Sequence, residues 1–323
     1  GHANRAGATS HHASTQEQHR PRARRLLIMS RTPLIDTITK IRVNEPWRVQ
    51  SALTDRPRGK MPRGDKPLMI IACDHAARGA LAAGDNLTAM GSREELLRRC
   101  IEALSRPGVD GFLGTADLIE DLAVLGALDN KLVYGSMNRG GLAGASFEMD
   151  DRFTGYTPQG IASAGLDGGK MLLRINYEDA GSVRTLEHCA QAVEQLAEQK
   201  VMAMVEPFIS ERKNGRIVNN LSPEAVIKSI AIASGLASTS AYTWLKLPVV
   251  DDIERVMEAS TLPALILGGE VRKDAEAAME SWRKALELPN VKGLVIGRSL
   301  LFPPDNDVAT AVDATVQILN NTN

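Results

Sequence analysis

The chain has 323 residues, 43% hydrophobic and 24% charged, with only 4% aromatic side chains and 27 glycines. Such a length and composition exclude collagen, coiled coil and wholesale disorder and belong to a globular protein able to bury a full core. No run of 18 or more uncharged apolar residues occurs, which argues against a helical membrane span, and a formal net charge of -1 gives no hint of nucleic acid as partner.

Residues 1–28 hold Arg5, Arg20, Arg22, Arg24 and Arg25 against Glu17, a balance of +4, so the -1 of the whole chain leaves -5 on residues 29–323. The same segment carries four of the six histidines, His2, His11, His12 and His19, in a polar context without apolar periodicity. It is expected to be a disordered leader or an expression-derived tail, with Met29 as the natural start and its histidines incidental rather than a metal tract. Arg24-Arg25-Leu-Leu-Ile-Met lacks an apolar core of signal-peptide length. Cys73, Cys100 and Cys189 are odd in number, widely spaced and form no CxxC pair. Both features favour the cytoplasm. Residues 29–66 form an extension whose short amphipathic helix, Leu34–Ile41, is expected to plug the N-terminal end of the domain that follows.

From Leu68 short apolar runs alternate with segments of helical period, the signature of βαβ units. Leu68–His75 reads as a first strand, followed by a helix from about Ser92. Gly111–Gly114 is a second strand with a helix over Ala116–Leu128, and Lys131–Met137 a third. A Gly-rich stretch, Arg139–Tyr156, is long for a structureless connection and so a candidate cover for a site. Pro158–Ala164 is a short helix, Lys170–Asn176 the fourth strand, and Val183–Gln199 the clearest amphipathic helix. Strand five is Val201–Glu206, with a capped helix starting at Ser222-Pro223-Glu224. Strand six is Trp244–Leu247 with helix Asp251–Ala259; strand seven, Ala264–Leu267, with helix Lys273–Leu288; strand eight, Val291–Ile296, with a closing helix Asp307–Leu319. Eight such units over residues 67–323 match a (β/α)8 TIM barrel with an N-terminal extension. A doubly wound sheet is disfavoured, because neither G-x-G-x-x-G nor G-x-x-x-x-G-K-[ST] occurs.

In such a barrel chemistry sits at the C-terminal ends of the strands. Lys246 stands inside strand six between apolar neighbours, where desolvation favours a neutral amine able to attack a carbonyl; the bland alternative is a lysine paired at the rim. Lys170 and Glu206, on neighbouring strands, would add a second cation and a proton carrier, or else a plain buried ion pair. Asp74, ending strand one, suits a substrate hydroxyl or a loop cap. Gly268 and Gly269 after strand seven, with Gly297 and Arg298 after strand eight, form a candidate phosphate cradle. His75, Arg78, Asn138 and Arg174 are candidate substrate contacts. Outside the tail only His75 and His188 remain, and His188 lies on a helix, so no metal site is expected.

Asp74 with Arg78-Gly79-Ala80-Leu81, Lys170, Glu206, Lys246 and the Gly268-Gly269 and Gly297-Arg298 pairs together resemble the class I, Schiff-base aldolases of the tagatose-bisphosphate, archaeal fructose-bisphosphate and deoxyribose-phosphate superfamily, over roughly residues 67–302. The resemblance implies Lys246 as the imine-forming residue, Lys170 as its neighbouring cation, and no cofactor beyond the covalent imine. It also implies homo-oligomers and a phosphorylated sugar or sugar-acid substrate. Glu206 matches the tagatose type, where the archaeal type has tyrosine. The first loop before Arg78 is two residues longer than that type, and Arg139–Tyr156 is peculiar to this chain, so tagatose 1,6-bisphosphate itself is not carried over. A phosphosugar isomerase or epimerase using Glu206 as base, and a non-catalytic sugar-phosphate sensor, are the rival readings.

Overall fold

The computed structural model describes residues 30–62, 64–269 and 274–321. The leader at 1–28, the start at Met29 and Lys273 at the head of the seventh helix lie outside these residues. Eight parallel strands close on themselves: β1 Leu68–Cys73, β2 Gly111–Gly114, β3 Leu132–Ser136, β4 Gly168–Ile175, β5 Met202–Lys213, β7 Thr243–Leu247, β8 Ala264–Leu267 and β9 Val291–Ile296. Neighbours run β4-β3-β2-β1-β9-β8-β7-β5, and β5 pairs back to β4. Helices α3 Arg93–Ser105, α4 Ala116–Val124, α5 Pro158–Ser163, α6 Gly181–Glu198, α7 Pro223–Ser234, α8 Ile253–Met257, α9 Ala275–Leu286, α10 Arg298–Leu301 and α11 Val308–Asn320 fill the crossovers. The protein is a (β/α)8 barrel. No helix among the described residues is long and apolar enough to cross a membrane.

Local chemistry sets the helix starts. Ser92, Thr157, Ser222, Asp274 and Asp307 each accept a hydrogen bond from the backbone N–H three residues on, and Pro158 and Pro223 occupy first-turn positions where no N–H is missed. The period of two along the strands then divides the apolar residues. Ile71, Phe112, Val133 and Val205 face the helices, while Ile70, Leu113, Tyr134, Met204 and Leu265 meet one another inside the barrel.

Two expectations are corrected. Glu206 does not end its strand: β5 runs on to Lys213, turns through Asn214 and Gly215, both at positive φ, and returns as an antiparallel β6, Arg216–Asn219. Asn-Gly is the residue pair that a two-residue hairpin turn favours. The extension does not plug the barrel either. Its helices, α1 Pro33–Asn44 and α2 Trp47–Thr54, lie against the outer α3 and α4, where Glu94 accepts from the N–H groups of Leu34 and Ile35 and Arg42 pairs with Asp121. The chain at Arg56–Gly59 reaches the N-terminal rim, bonding to Lys131 before β3 and Asp167 before β4.

Candidate active site

Strand register decides which side chains reach the interior above the apolar layer. Lys170 follows Gly168 on the inward period of β4, Glu206 follows Met202 and Met204 on β5, and Lys246 follows Trp244 on β7. Asp74 continues the series Leu68, Ile70, Ala72 one step past β1. All four line a cavity of about 750 Å³ together with His75, Gly268, Gly269, Gly297, Arg298 and the β5–β6 hairpin. Asp74, Lys170 and Lys246 are at most 4% exposed.

The charges alternate. The Lys170 ammonium lies 3.0 Å from Asp74 Oδ2 and 3.0 Å from Glu206 Oε1, and Glu206 Oε2 lies 3.5 Å from Lys246 Nζ. Burial alone would raise both carboxyls, but the facing cations win. Arg139 and Lys170, with Lys246 behind them, hold Asp74 well below the usual carboxylate range, and the two lysines draw Glu206 down to about 2. Burial, reinforced by the Arg139 guanidinium, lowers Lys170 to about 8 against the pull of Asp74 and Glu206. The site therefore holds two carboxylates that stay ionised beside an ammonium within reach of deprotonation near neutral pH.

Arg139 and Ser136 belong to this site although the sequence reading did not single them out. Ser136 ends β3 and donates its hydroxyl to Asp74 Oδ2 at 2.9 Å. Arg139 opens the long loop, donates Nε to Ser136 Oγ at 2.9 Å and closes a tight ion pair with Asp74 Oδ2. Arg78 and Arg174 both line the cavity and share one carboxylate of that loop, Glu148. Burial and the nearby Arg174 and Arg139 lower Arg78 to about 10. Asn138 is not available to a substrate: fully buried, it donates to the Leu172 carbonyl at 2.6 Å and accepts from the Leu172 N–H at 2.7 Å, so its amide stands in for a missing strand partner of β4.

Across the cavity lie Gly268, Gly269, Gly297 and Arg298. Gly269 sits at φ +72, and a Cβ on Gly297 would lie 2.5 Å from the Ala72 carbonyl oxygen, so neither position takes a side chain without strain. Three polar atoms on this side, His75 Nδ1, Arg298 Nε and Ser299 Oγ, are buried without a hydrogen-bond partner, although Arg298 Nη1 donates to the Ala82 carbonyl at 3.4 Å. Burial holds His75 down to about 3, so it is a neutral imidazole. Among the described residues no group of three or more His, Cys, Asp or Glu side chains is placed to hold a metal ion.

The profile of a family described as Cgl0159-like matches residues 66–316. The crystal structure of Cgl0159 from Corynebacterium glutamicum is similar at a TM-score of 0.87 and 52% identity, covering 90% of this chain and 98% of that one. An archaeal fructose 1,6-bisphosphate aldolase superposes with a TM-score of 0.57 at 16% identity, over 84% of this chain and 98% of that one. An archaeal aldolase with its catalytic lysine bound to the carbinolamine intermediate gives 0.57 at 15%, over 84% and 99%. At that identity the likeness is one of fold. No curated protein matches the chain.

Proposed function

The chain belongs to the Cgl0159-like family, and from that premise we propose that it is a class I aldolase, cleaving or forming a C–C bond in a phosphorylated sugar or sugar acid through an imine on Lys246. The observation that carries the reading is the inward row Lys170–Glu206–Lys246, with Glu206 bridging two buried ammoniums at 3.0 and 3.5 Å. A structural ion pair needs one cation for one carboxylate; here a second amine stands in the cavity wall. The Lys246 amine, relieved of its proton through Glu206, attacks the substrate carbonyl. The same proton returns to the carbinolamine hydroxyl, which leaves as water. In the resulting iminium the substrate hydroxyl gives up its proton, the C–C bond breaks, and its electron pair moves to the iminium nitrogen to give an enamine. Asp74 is the carboxylate suited to that hydroxyl. Protonation of the enamine carbon and hydrolysis free the lysine.

The anionic end of the substrate would lie at Gly268, Gly269, Gly297 and Arg298, where the unpartnered His75 Nδ1 and Arg298 Nε support a ligand. Seven cations, five of them arginines, against two acids in the cavity wall support an anionic substrate, although Glu148 offsets part of that charge. The experiment is trapping with dihydroxyacetone phosphate and cyanoborohydride, followed by peptide mass spectrometry. The expected result is a reduced adduct on Lys246 and a loss of turnover on the order of 10⁴-fold or more in Lys246→Ala. Turnover of a phosphosugar without an adduct, retained in Lys246→Ala, would replace the aldolase with an isomerase that uses Glu206 as base. Binding without conversion would leave a sensor.

A further inference from the structure

We infer that Arg139 is a positioning residue of this site, the group through which the 137–156 loop fixes Asp74 and heads the row of alternating charges that ends at Lys246. The inference deepens the aldolase reading and rests on it for the chemistry, while its geometry stands alone. Asp74 Oδ2 receives three donors, Ser136 Oγ, Arg139 Nη2 and Lys170 Nζ. With that oxygen saturated, the carboxylate cannot rotate, and Oδ1 is left for a substrate hydroxyl. The order along the row is Arg139, Asp74, Lys170, Glu206, Lys246, cation and anion in turn. Arg139 is the terminal cation of the row, held by its bonds to Ser136 and Asp74, so it is the fixed end.

Tethering the loop would be the plain role for such an arginine, but the loop holds itself without it. Glu148 takes Arg78, Arg174 and the Gly144 N–H. Asp151 Oδ1 takes the Gly141 N–H at 2.9 Å, its own N–H donates to Thr185 Oγ1, and the Ala143 N–H reaches the Arg78 carbonyl. These anchors span two helical crossovers and a strand. What Arg139 adds, and no other residue of the loop does, is a charge at 6% exposure paired with Asp74. The charged groups that face the pair are Lys170, Lys246 and Glu206 within the row and Arg78 and Asp151 beside Arg139, while His75 next to Asp74 is a neutral imidazole. Arg139 is the strongest cationic influence on both.

The test compares Arg139→Gln and Arg139→Lys with the unaltered protein in two measurements. The first is the titration of Lys170 by NMR of isotope-labelled lysine, assigned by its loss in Lys170→Met. Removing the guanidinium removes a repulsion, so the Lys170 midpoint rises from about 8 by roughly one unit in Arg139→Gln, and Arg139→Lys restores most of it. The second is the pH dependence of the rate of trapping by cyanoborohydride with dihydroxyacetone phosphate. Both limbs of that profile move to higher pH in Arg139→Gln, and Arg139→Lys moves them back. A lower rate with unmoved limbs and an unmoved Lys170 midpoint assigns Arg139 to the loop alone and overturns the inference. If the unaltered protein forms no adduct on Lys246, the aldolase reading fails, while the Lys170 titration still decides the role of Arg139.

Discussion

The lower and upper halves of the barrel interior are built by the same strands on the same period of two, yet they obey opposite rules. Below, Ile70, Leu113, Tyr134, Met204 and Leu265 fill the interior with apolar contact. Higher up, Asp74 past β1, Lys170 on β4, Glu206 on β5 and Lys246 on β7 bring charge into the same interior, each at most 9% exposed. Burying four charges costs free energy that a further layer of aliphatic side chains would not, and pairing offsets it only in part. The strand geometry does not demand the change of rule, so the upper layer is explained by what it does and the lower by what it supports.

Lys170→Met gives the widest break between the two halves. It leaves Asp74 with Arg139 and Glu206 with the longer 3.5 Å contact to Lys246. Removing one partner of a buried network costs roughly 3–5 kcal/mol, to be read by urea denaturation at neutral pH, and proton transfer through the row is lost with it, lowering turnover about 100-fold or more. Unchanged turnover in a folded Lys170→Met protein would make the row a structural ion network.

Leu265→Ala tests the other half. Leu265 is fully buried in the lower layer and is the register partner of Lys246, so truncation should cost roughly 2–5 kcal/mol of stability. Turnover should fall less than about threefold, because no group of the row is altered. A loss of turnover matching that of Lys170→Met would mean that the upper layer has no rigidity of its own.

How much of this was legible follows the same division. Alternation of apolar runs with helical period exposed all eight units, because period is local in sequence. Lys170, Glu206 and Lys246 stood out because charge inside a strand is rare and the inward period is countable. Arg139 did not: it meets Asp74 across 65 positions, and nothing within a glycine-rich loop says where its one buried guanidinium lands. Glu148, holding Arg78 and Arg174, was hidden for the same reason. Asn138 was misleading, since an amide after a strand suits a substrate and a neighbouring backbone equally well. The β5–β6 hairpin was visible in principle, as Lys213-Asn214-Gly215-Arg216 carries the turn signal, but the apolar run ending near Glu206 drew the boundary too early.

The smallest effect concerns pH and separates the halves by their protons, since among Ile70, Leu113, Tyr134, Met204 and Leu265 below, the only ionisable group, the Tyr134 phenol, is pushed up by burial. Glu206 titrates at about 2 in the folded protein against 4.5 for a free side chain. Its contribution is thus fully present above about 4.5 and lost as pH falls toward 2. Lys170 runs the other way in origin but not in sign: its midpoint drops from 10.5 to about 8, so between those values the unfolded chain binds more protons and stability rises with pH. Each group adds a slope of at most about 1.4 kcal/mol per pH unit within its window. Denaturation midpoints measured across both windows should show the two rises. Glu206→Gln removes its share of the acidic rise, which Asp74 also feeds, and Lys170→Met its share of the alkaline one. Leu265→Ala lowers the whole curve without altering either slope. If the alkaline rise is undiminished in Lys170→Met, the amine that releases its proton there is not the one bridging Asp74 and Glu206, and the charge row has its weakest proton elsewhere.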